Sequence, residues 1–324
     1  MSIVLVDTLD RLREHSQWPI WSQPAPNPFA DAPFEIVHIA GRGKAMIARR
    51  HIAKGDLICV ERPVYATRAE LMWSSDFTKI NGRPYLAPFA GLNNASQAAI
   101  TALSSAPGVP GHSLATIFHT NNLELDVTHD VDPNPTNRYV GCFPTLARVN
   151  HSCRPSANYY FVFDNFCGEI RAMRDLKPGD EVTISYVGML QTREARQARL
   201  QSLWRFQCAC EACDVDEATQ KQSNVRRKRL AELFNRLESP ELASQPNAAP
   251  TLGQLQAGIE MLGAEGLVAK RAGLIWLGSA CLFVRGDFVN AFDWVKRARD
   301  EHLLVEGEHS ATAAKAEDLI PDFD

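Results

Sequence analysis

The sequence lacks any long uninterrupted apolar run, and this excludes the simplest membrane-spanning architecture. No apolar stretch approaches the ~18 residues that a spanning helix needs. The chain also lacks a strong charge of one sign, because 34 basic and 38 acidic residues leave a formal net charge of -4. This balance gives no electrostatic reason to expect direct binding to nucleic acid or to a membrane surface.

The first residues lack the basic region and the small-residue cleavage site of a signal peptide. We therefore expect an intracellular protein, in the nucleus, the cytoplasm or both, where thiols stay reduced. The chain has 324 residues, of which 45% are hydrophobic, so it can bury a large core. Length alone allows one large domain or two smaller ones.

Cysteine is also sparse, with eight residues in the chain, but three of them fall within the six residues "CACEAC". Cys208, Cys210 and Cys213 have a C-x-C-x-x-C spacing, which lets three thiolates face one point. A closed structural zinc site needs four tetrahedral ligands, so a fourth must come from elsewhere. Cys153, in the stretch "NHSC", is the candidate, and it would clamp the cysteine-rich segment onto the upstream part of the chain.

The remaining cysteines stand in apolar contexts and are interpreted as core residues; these are Cys59, Cys142, Cys167 and Cys281. His151 lies two residues before Cys153, but two such close neighbours rarely face one metal ion, so a ligand role for His151 is disfavoured.

Hydrophobic patterning divides the chain near residue 215. Before this point, short β-branched and apolar runs such as "FEIVHI", "DLICVERPV", "ANYYFVFD" and "EVTISYV" predict strands, with little strand–helix–strand alternation. After it, every segment predicts helices, and Gly286-Asp287 predicts a tight link between the last two. The pattern favours an α+β protein over a doubly wound parallel sheet.

Four motifs in order now show a resemblance to a known family. "GRGKAMIARRHIAKGDLICVERPV", "GCFPTLARVNHSC", "GDEVTISY" and "CACEAC" together resemble the SET-domain methyltransferases, and most closely the SET-and-MYND subgroup and its fungal relatives. The resemblance covers about residues 35–215. It implies a β-clip fold of small sheets, a four-cysteine zinc segment after the SET domain, and an all-α C-terminal region.

The resemblance also implies S-adenosylmethionine as cofactor and lysine as methyl acceptor. Arg42, Gly43 and Lys44 would line the cofactor site, with Lys44 or its backbone near the cofactor's carboxylate. Asn150 and His151 would hold the amino group and the adenine. Two more contacts are implied at Asn121 and Phe206, the latter stacking on the adenine, and Tyr186 would be the catalytic tyrosine that also touches the cofactor.

Two features depart from the family pattern. Ser156 stands where the family usually has asparagine, at a position that braces the loop. The MYND zinc finger of the subgroup is missing, because residues 63–115 contain no cysteine. Glu181, in "GDEVTISY", is interpreted as a structural charge in a turn. The basic run at 225–230 is interpreted as a solvated helix face, with a nuclear signal or a nucleic-acid patch as the alternative.

These observations predict four regions: an arm (1–33), a SET domain (34–205) with an insert at about 63–115, a zinc segment (206–215), and a helical domain (216–324). The expected function is lysine methylation of a histone or non-histone protein, with a further partner for the helical domain. Two alternatives stay open, a SET-like enzyme acting on a small molecule and a binding module without turnover.

Overall fold

The computed structural model describes residues 4–6, 25–69, 89–106, 113–126, 138–243 and 246–320. All strands of the described part lie before residue 185, and from Glu217 onward that part is helical, which confirms the predicted change from a β-rich to an all-α region. Among the described residues, no helix combines the length and the apolar content needed to cross a membrane.

Four small sheets contain the strands. The largest has the spatial order β1 (Val4–Val6), β5 (Tyr65–Arg68), β7 (Tyr139–Cys142) and β6 (Asn122–Leu125). A three-stranded sheet has the order β4 (Leu57–Glu61), β10 (Cys167–Ala172) and β9 (Ala157–Val162). The two others are pairs, β2 (Phe34–Ile39) with β3 (Gly43–Ala48) and β8 (Asn150–His151) with β11 (Thr183–Ile184). Pairing is antiparallel except for β1 with β5 and β8 with β11. The α+β class is therefore confirmed.

The main core of the β-rich region lies between these sheets, because the apolar positions of the predicted strands turn inward. Its fully buried members include Phe34, Met46, Phe143, Ile170 and Val182. All four cysteines that the sequence assigned to the core are buried and free of disulfides: Cys59, Cys142, Cys167 and Cys281.

Eight α-helices are described: α1 (Asn94–Thr101), α2 (Ser113–Asn121), α3 (Arg193–Trp204), α4 (Glu217–Leu237), α5 (Leu252–Glu265), α6 (Val268–Val284), α7 (Phe288–Glu306) and α8 (Ala311–Leu319). Most begin at a polar side chain that accepts a backbone N–H, as capping requires. Thr192 caps α3, Asp216 caps α4, and Thr251 forms a capping box with Gln254 at α5.

The predicted helical hairpin is present at α6 and α7. Gly286 adopts a φ of +76°, and the Asp287 carboxylate accepts the backbone N–H of Asn290. Farther along, a Cβ on Gly278 would lie 2.6 Å from the Trp294 ring, so glycine lets the two helices approach closely.

Parts of two predicted regions fall outside the described residues. Most of the arm at 1–33 does, and so do residues 70–88 and 107–112 of the insert. The four region boundaries remain predictions.

Candidate active site and four-cysteine centre

The turn between β2 and β3 is built on two glycines with left-handed backbone. Gly41 has a φ of +72° and Gly43 a φ of +74°, and a Cβ on either would meet no heavy atom within 4 Å. The glycines are therefore needed for backbone conformation, and the space beside the turn is open. Between them, Arg42 Nη1 forms an ion pair with Glu181 Oε2 at 2.6 Å.

Glu181 connects this turn to the "NHSC" loop. While one carboxylate oxygen pairs with Arg42, the other accepts a hydrogen bond from Asn150 Nδ2 at 2.8 Å. The structure thus brings two of the predicted cofactor residues together through a residue that sequence reasoning regarded as a structural turn charge. Thr183 lies opposite Asn150 in the parallel β8–β11 ladder, and this pairing, which no pattern along the chain marks, places Glu181 beside that loop.

Tyr186 follows β11 and is held at both ends. Its hydroxyl donates to the Val149 carbonyl at 2.6 Å, and its backbone N–H donates to His151 Nδ1 at 3.0 Å. Burial raises the pKa of Tyr186 above its ordinary value of about 10, so the hydroxyl keeps its proton at neutral pH. The predicted catalytic tyrosine is thereby fixed next to Asn150, the residue after Val149.

His151 joins Tyr186 to the cysteines. Because Nδ1 accepts the Tyr186 N–H, the ring proton lies on Nε2, which is 3.3 Å from the Cys153 sulfur. Burial lowers the pKa of His151 to about 4, so the ring is neutral near pH 7. Both ring nitrogens are engaged within the protein, which limits any cofactor contact of His151 to its other atoms.

The four predicted zinc ligands converge. The sulfur atoms of Cys153, Cys208, Cys210 and Cys213 all lie within 4.8 Å of one another. A tetrahedral zinc site with its usual Zn–S bonds places sulfurs about 3.8 Å apart, and the Cys213 and Cys153 sulfurs are separated by 3.6 Å. Donor type, number and spacing therefore fit a structural zinc ion, and His151 is outside the set.

Two arginines with no exposed surface flank this cluster. Arg196, on α3, has its guanidinium against the sulfurs of Cys153 and Cys213; burial alone would lower its pKa, but the sulfurs raise it. Arg227, on α4, donates to the Cys153 carbonyl at 3.2 Å and pairs with Glu265 at 2.9 Å. The sequence did not single out Arg196. The interpretation of 225–230 as a solvated helix face is wrong for Arg227, which is buried by partners that are distant in the chain.

The helical region also contacts the same loop. Arg154 Nε donates to the Glu265 carbonyl at 3.0 Å, at the end of α5. Gly266, with a φ of +67°, ends that helix, and a Cβ there would lie 2.7 Å from the Arg154 stem. The loop that contains Asn150 and Cys153 is therefore packed directly against the all-α region.

Ser156 braces the loop where the family usually has asparagine. Its hydroxyl accepts the Thr183 N–H at 2.9 Å and donates to the Glu181 carbonyl at 3.0 Å. A serine at this position still ties the loop to β11.

Aromatic rings line the space between Tyr186 and the cysteines. Phe206, the predicted adenine partner, is half-buried, with its ring centroid 6.3 Å from that of His151. Trp204, which the sequence did not single out, lies 5.1 Å from the Tyr186 ring, and its indole N–H donates to the Thr120 carbonyl at 3.0 Å. This bond brings the end of α2 to the site.

Two predicted cofactor residues stand apart from these contacts. Asn121, at the end of α2, is buried, and its amide nitrogen donates to the carbonyls of Ser104 and Ile117. Lys44 lies on β3 opposite His38, with an exposed side chain. Their cofactor roles stay predictions.

Comparison with known proteins agrees with this geometry. The SET domain family model matches residues 43–187, a range that holds the glycine turn, the "NHSC" loop and Tyr186. Histone-lysine N-methyltransferase set5 of Schizosaccharomyces pombe is 27% identical over 288 residues, which are 88% of this chain and 82% of that protein.

Shorter similarities reach two animal proteins. N-lysine methyltransferase SMYD2-B of Danio rerio is 30% identical over 123 residues, which are 37% of this chain and 27% of that protein. Histone-lysine N-methyltransferase SMYD3 of Homo sapiens is 36% identical over 78 residues, 24% of this chain and 18% of that protein. The chain thus matches about a quarter or less of these two relatives. Residues 43–187 of the chain match a SET domain, and part of the chain is similar to SMYD proteins.

Proposed function

We propose that this protein is an S-adenosylmethionine-dependent protein-lysine N-methyltransferase. The observation that carries the proposal is the attachment of a protonated tyrosine hydroxyl, on Tyr186, to the same loop that presents Asn150 to Glu181 and Arg42. The names of the relatives, which are histone-lysine and protein-lysine methyltransferases, support the same reaction.

The residues around the glycine turn suit the polar end of the cofactor. The open space beside Gly43, the Arg42 guanidinium and the Asn150 amide would hold the amino-acid part of S-adenosylmethionine, and Phe206 the adenine. Lys44 and Asn121 would add further contacts. When bound, the cofactor supplies a methyl group to which the lysine nitrogen bonds as the sulfur–carbon bond breaks and the amine loses a proton.

The acceptor amine must be neutral to attack. A free lysine has a pKa of about 10.4, so neutralising it at pH 7 costs about 4.6 kcal/mol. A dry channel next to a positive sulfonium disfavours the ammonium form, so no side-chain base is obligatory. Alignment of the amine with the methyl group then supplies much of the acceleration.

Tyr186 would supply a fixed polar oxygen at the reacting centre. Its hydroxyl proton is committed to the Val149 carbonyl, so the oxygen lone pairs are oriented toward the remaining space. Preorganised oxygens stabilise the positive charge that is shared between the methyl group and the amine in the transition state.

Zinc would have a structural role at the four cysteines. Their bridge from Cys153 to 208–213 fixes the segment that presents Phe206. Eight free thiols, four of them arranged as metal ligands, also suit a reducing compartment, which supports an intracellular location. We further propose the region boundaries given above, and a protein partner on the helical domain.

The experiment is calorimetric titration of zinc-loaded protein with S-adenosylmethionine, with Asn150→Ala as the matched variant. We expect micromolar binding that is lost in Asn150→Ala. Absence of binding by folded, zinc-loaded protein would refute the cofactor site and favour a non-catalytic module.

Methyl transfer is tested with tritiated S-adenosylmethionine and core histones or a total protein extract, with Tyr186→Phe as the variant. We expect unchanged cofactor affinity and transfer slowed about 10²-fold. A wild-type rate in Tyr186→Phe would remove the tyrosine from the mechanism. Cofactor binding without methylated protein would favour a small-molecule acceptor.

A further inference from the structure

Arg196 is a fully buried charged residue without a carboxylate partner among the described residues. It is the fourth residue of α3 and has no exposed surface. A buried guanidinium without a compensating charge is strongly unfavourable, so native proteins pair such groups. Among the described residues, no carboxylate forms an ion pair with Arg196.

The hydrogen bonds of Arg196 leave most of its donors without an oxygen partner. Nη1 donates to the Gln191 carbonyl, but Nε and Nη2 are buried without a hydrogen bond of regular geometry. The guanidinium as a whole interacts electrostatically with the sulfurs of Cys153 and Cys213. One carbonyl bond explains one of five N–H donors, so it does not explain a full positive charge at this position.

The neighbouring arginine differs from Arg196 because it has a carboxylate partner. Arg227 is equally buried, but it pairs with Glu265 at 2.9 Å, a carboxylate that it shares with the partly exposed Arg226 at 2.6 Å. Four thiolates around one zinc ion carry a net charge of two minus in a buried site. Arg196 is then the unpaired cation that stands against this charge.

We propose that Arg196 is the counter-charge of the four-cysteine centre and acts as a positioning residue that retains the metal. The inference rests on the proposed zinc site and goes beyond it, because it assigns the retention of the metal to a side chain that is not a ligand. Removing such a neighbour of a metal site typically weakens metal binding about 10- to 100-fold.

The test compares zinc release from purified, zinc-loaded protein. Arg196→Met removes the charge and keeps the apolar stem, Arg196→Lys keeps a charge, and Arg199→Met is the control on the exposed face of the same helix. Zinc transfer to a colorimetric chelator is followed in each, together with the increase in melting temperature that zinc gives over metal-free protein.

We expect Arg196→Met to release zinc at least about tenfold faster than wild type. Zinc should also raise the melting temperature of Arg196→Met by less than it raises that of wild type. Arg196→Lys should stay within about threefold of wild type, and Arg199→Met should match it. Release by folded Arg196→Met at the wild-type rate would overturn the proposal.

Two further outcomes are decisive. If Arg196→Met does not fold, Arg196→Lys carries the test, and release more than about tenfold faster would overturn the role of charge. If the wild-type protein binds no zinc, the metal site itself is refuted. This result is distinguishable from a failure of the proposed methyl transfer, because the experiment measures zinc release and melting temperature and not activity.

Discussion

Glu61 offers a quantitative test of how the "NHSC" loop is held. The carboxylate is buried at the end of β4 and accepts the backbone N–H of Thr145 and of Leu146, each at 2.9 Å. These amides begin the 3-10 turn Leu146–Arg148, which leads into Val149 and Asn150. Burial raises the pKa of Glu61 to about 7 from its ordinary 4.5, although the two amides act in the opposite direction.

The sign of the pH effect follows from this shift. Between pH 4.5 and pH 7 the folded protein holds a proton that the unfolded chain releases, so stability is fully present below pH 4.5 and is lost as pH rises through 7. The shift corresponds to about 3 kcal/mol in all, most of which is lost between pH 5 and pH 8.

The assay is urea unfolding of wild type and Glu61→Gln at several pH values from 5 to 8. Glutamine cannot ionise, so the stability of Glu61→Gln relative to wild type should improve by roughly 2 to 3 kcal/mol across this range. Glu124→Gln, on an exposed side chain, is the control and should track wild type. Parallel pH profiles for wild type and Glu61→Gln would refute the reasoning.

Two other substitutions test the contacts of the loop. Glu265→Gln removes the carboxylate that pairs with buried Arg227, so it should lower the free energy of unfolding, measured in urea, by about 3 kcal/mol. Glu317→Gln, in an exposed ion pair, is the control and should change the free energy of unfolding little. Equal effects of the two substitutions would contradict the role of the buried pair. Cys153→Ser should lower the zinc content measured by atomic absorption, while Cys281→Ser should keep it; a full complement of zinc in Cys153→Ser would remove this residue from the centre.

The parts of the site that the sequence predicted are those defined by local spacing or by motif. The C-x-C-x-x-C spacing itself directs three thiolates to one point, and the sole cysteine of the motif-like "NHSC" stretch completed the set. Tyr186 and Asn150 were predicted because each lies in an ordered motif, and the structure brings them to one loop.

Residues whose role depends on distant partners were missed. Glu181 acquires its role from Arg42, 139 positions away, and Arg227 from Glu265, 38 positions away. Trp204 is one apolar residue among several in its helix until α2 supplies the Thr120 carbonyl. Patterns of neighbours along the chain do not contain such information.

The strand before Tyr186 also illustrates a competition that sequence patterns do not resolve. "EVTISYV" predicts a strand, yet β11 contains only Thr183–Ile184. Ser185 turns its hydroxyl to the Val187 carbonyl, and Tyr186 gives its N–H to the His151 ring instead of to a neighbouring strand. The side-chain acceptor on His151 thereby takes the N–H of Tyr186 out of the ladder and orients the tyrosine.

Cys153 is the point at which three parts of the molecule meet. Its sulfur belongs to the four-cysteine centre and contacts Nε2 of the His151 ring. Its carbonyl accepts a hydrogen bond from Arg227 of the helical region. A chain shortened to end near residue 215 would keep every motif of the SET domain but lose Arg227 and the α5 terminus that holds Arg154. The SET-domain and helical regions of this chain are therefore coupled through one loop, and a substitution on either side of these contacts alters the surroundings of Cys153.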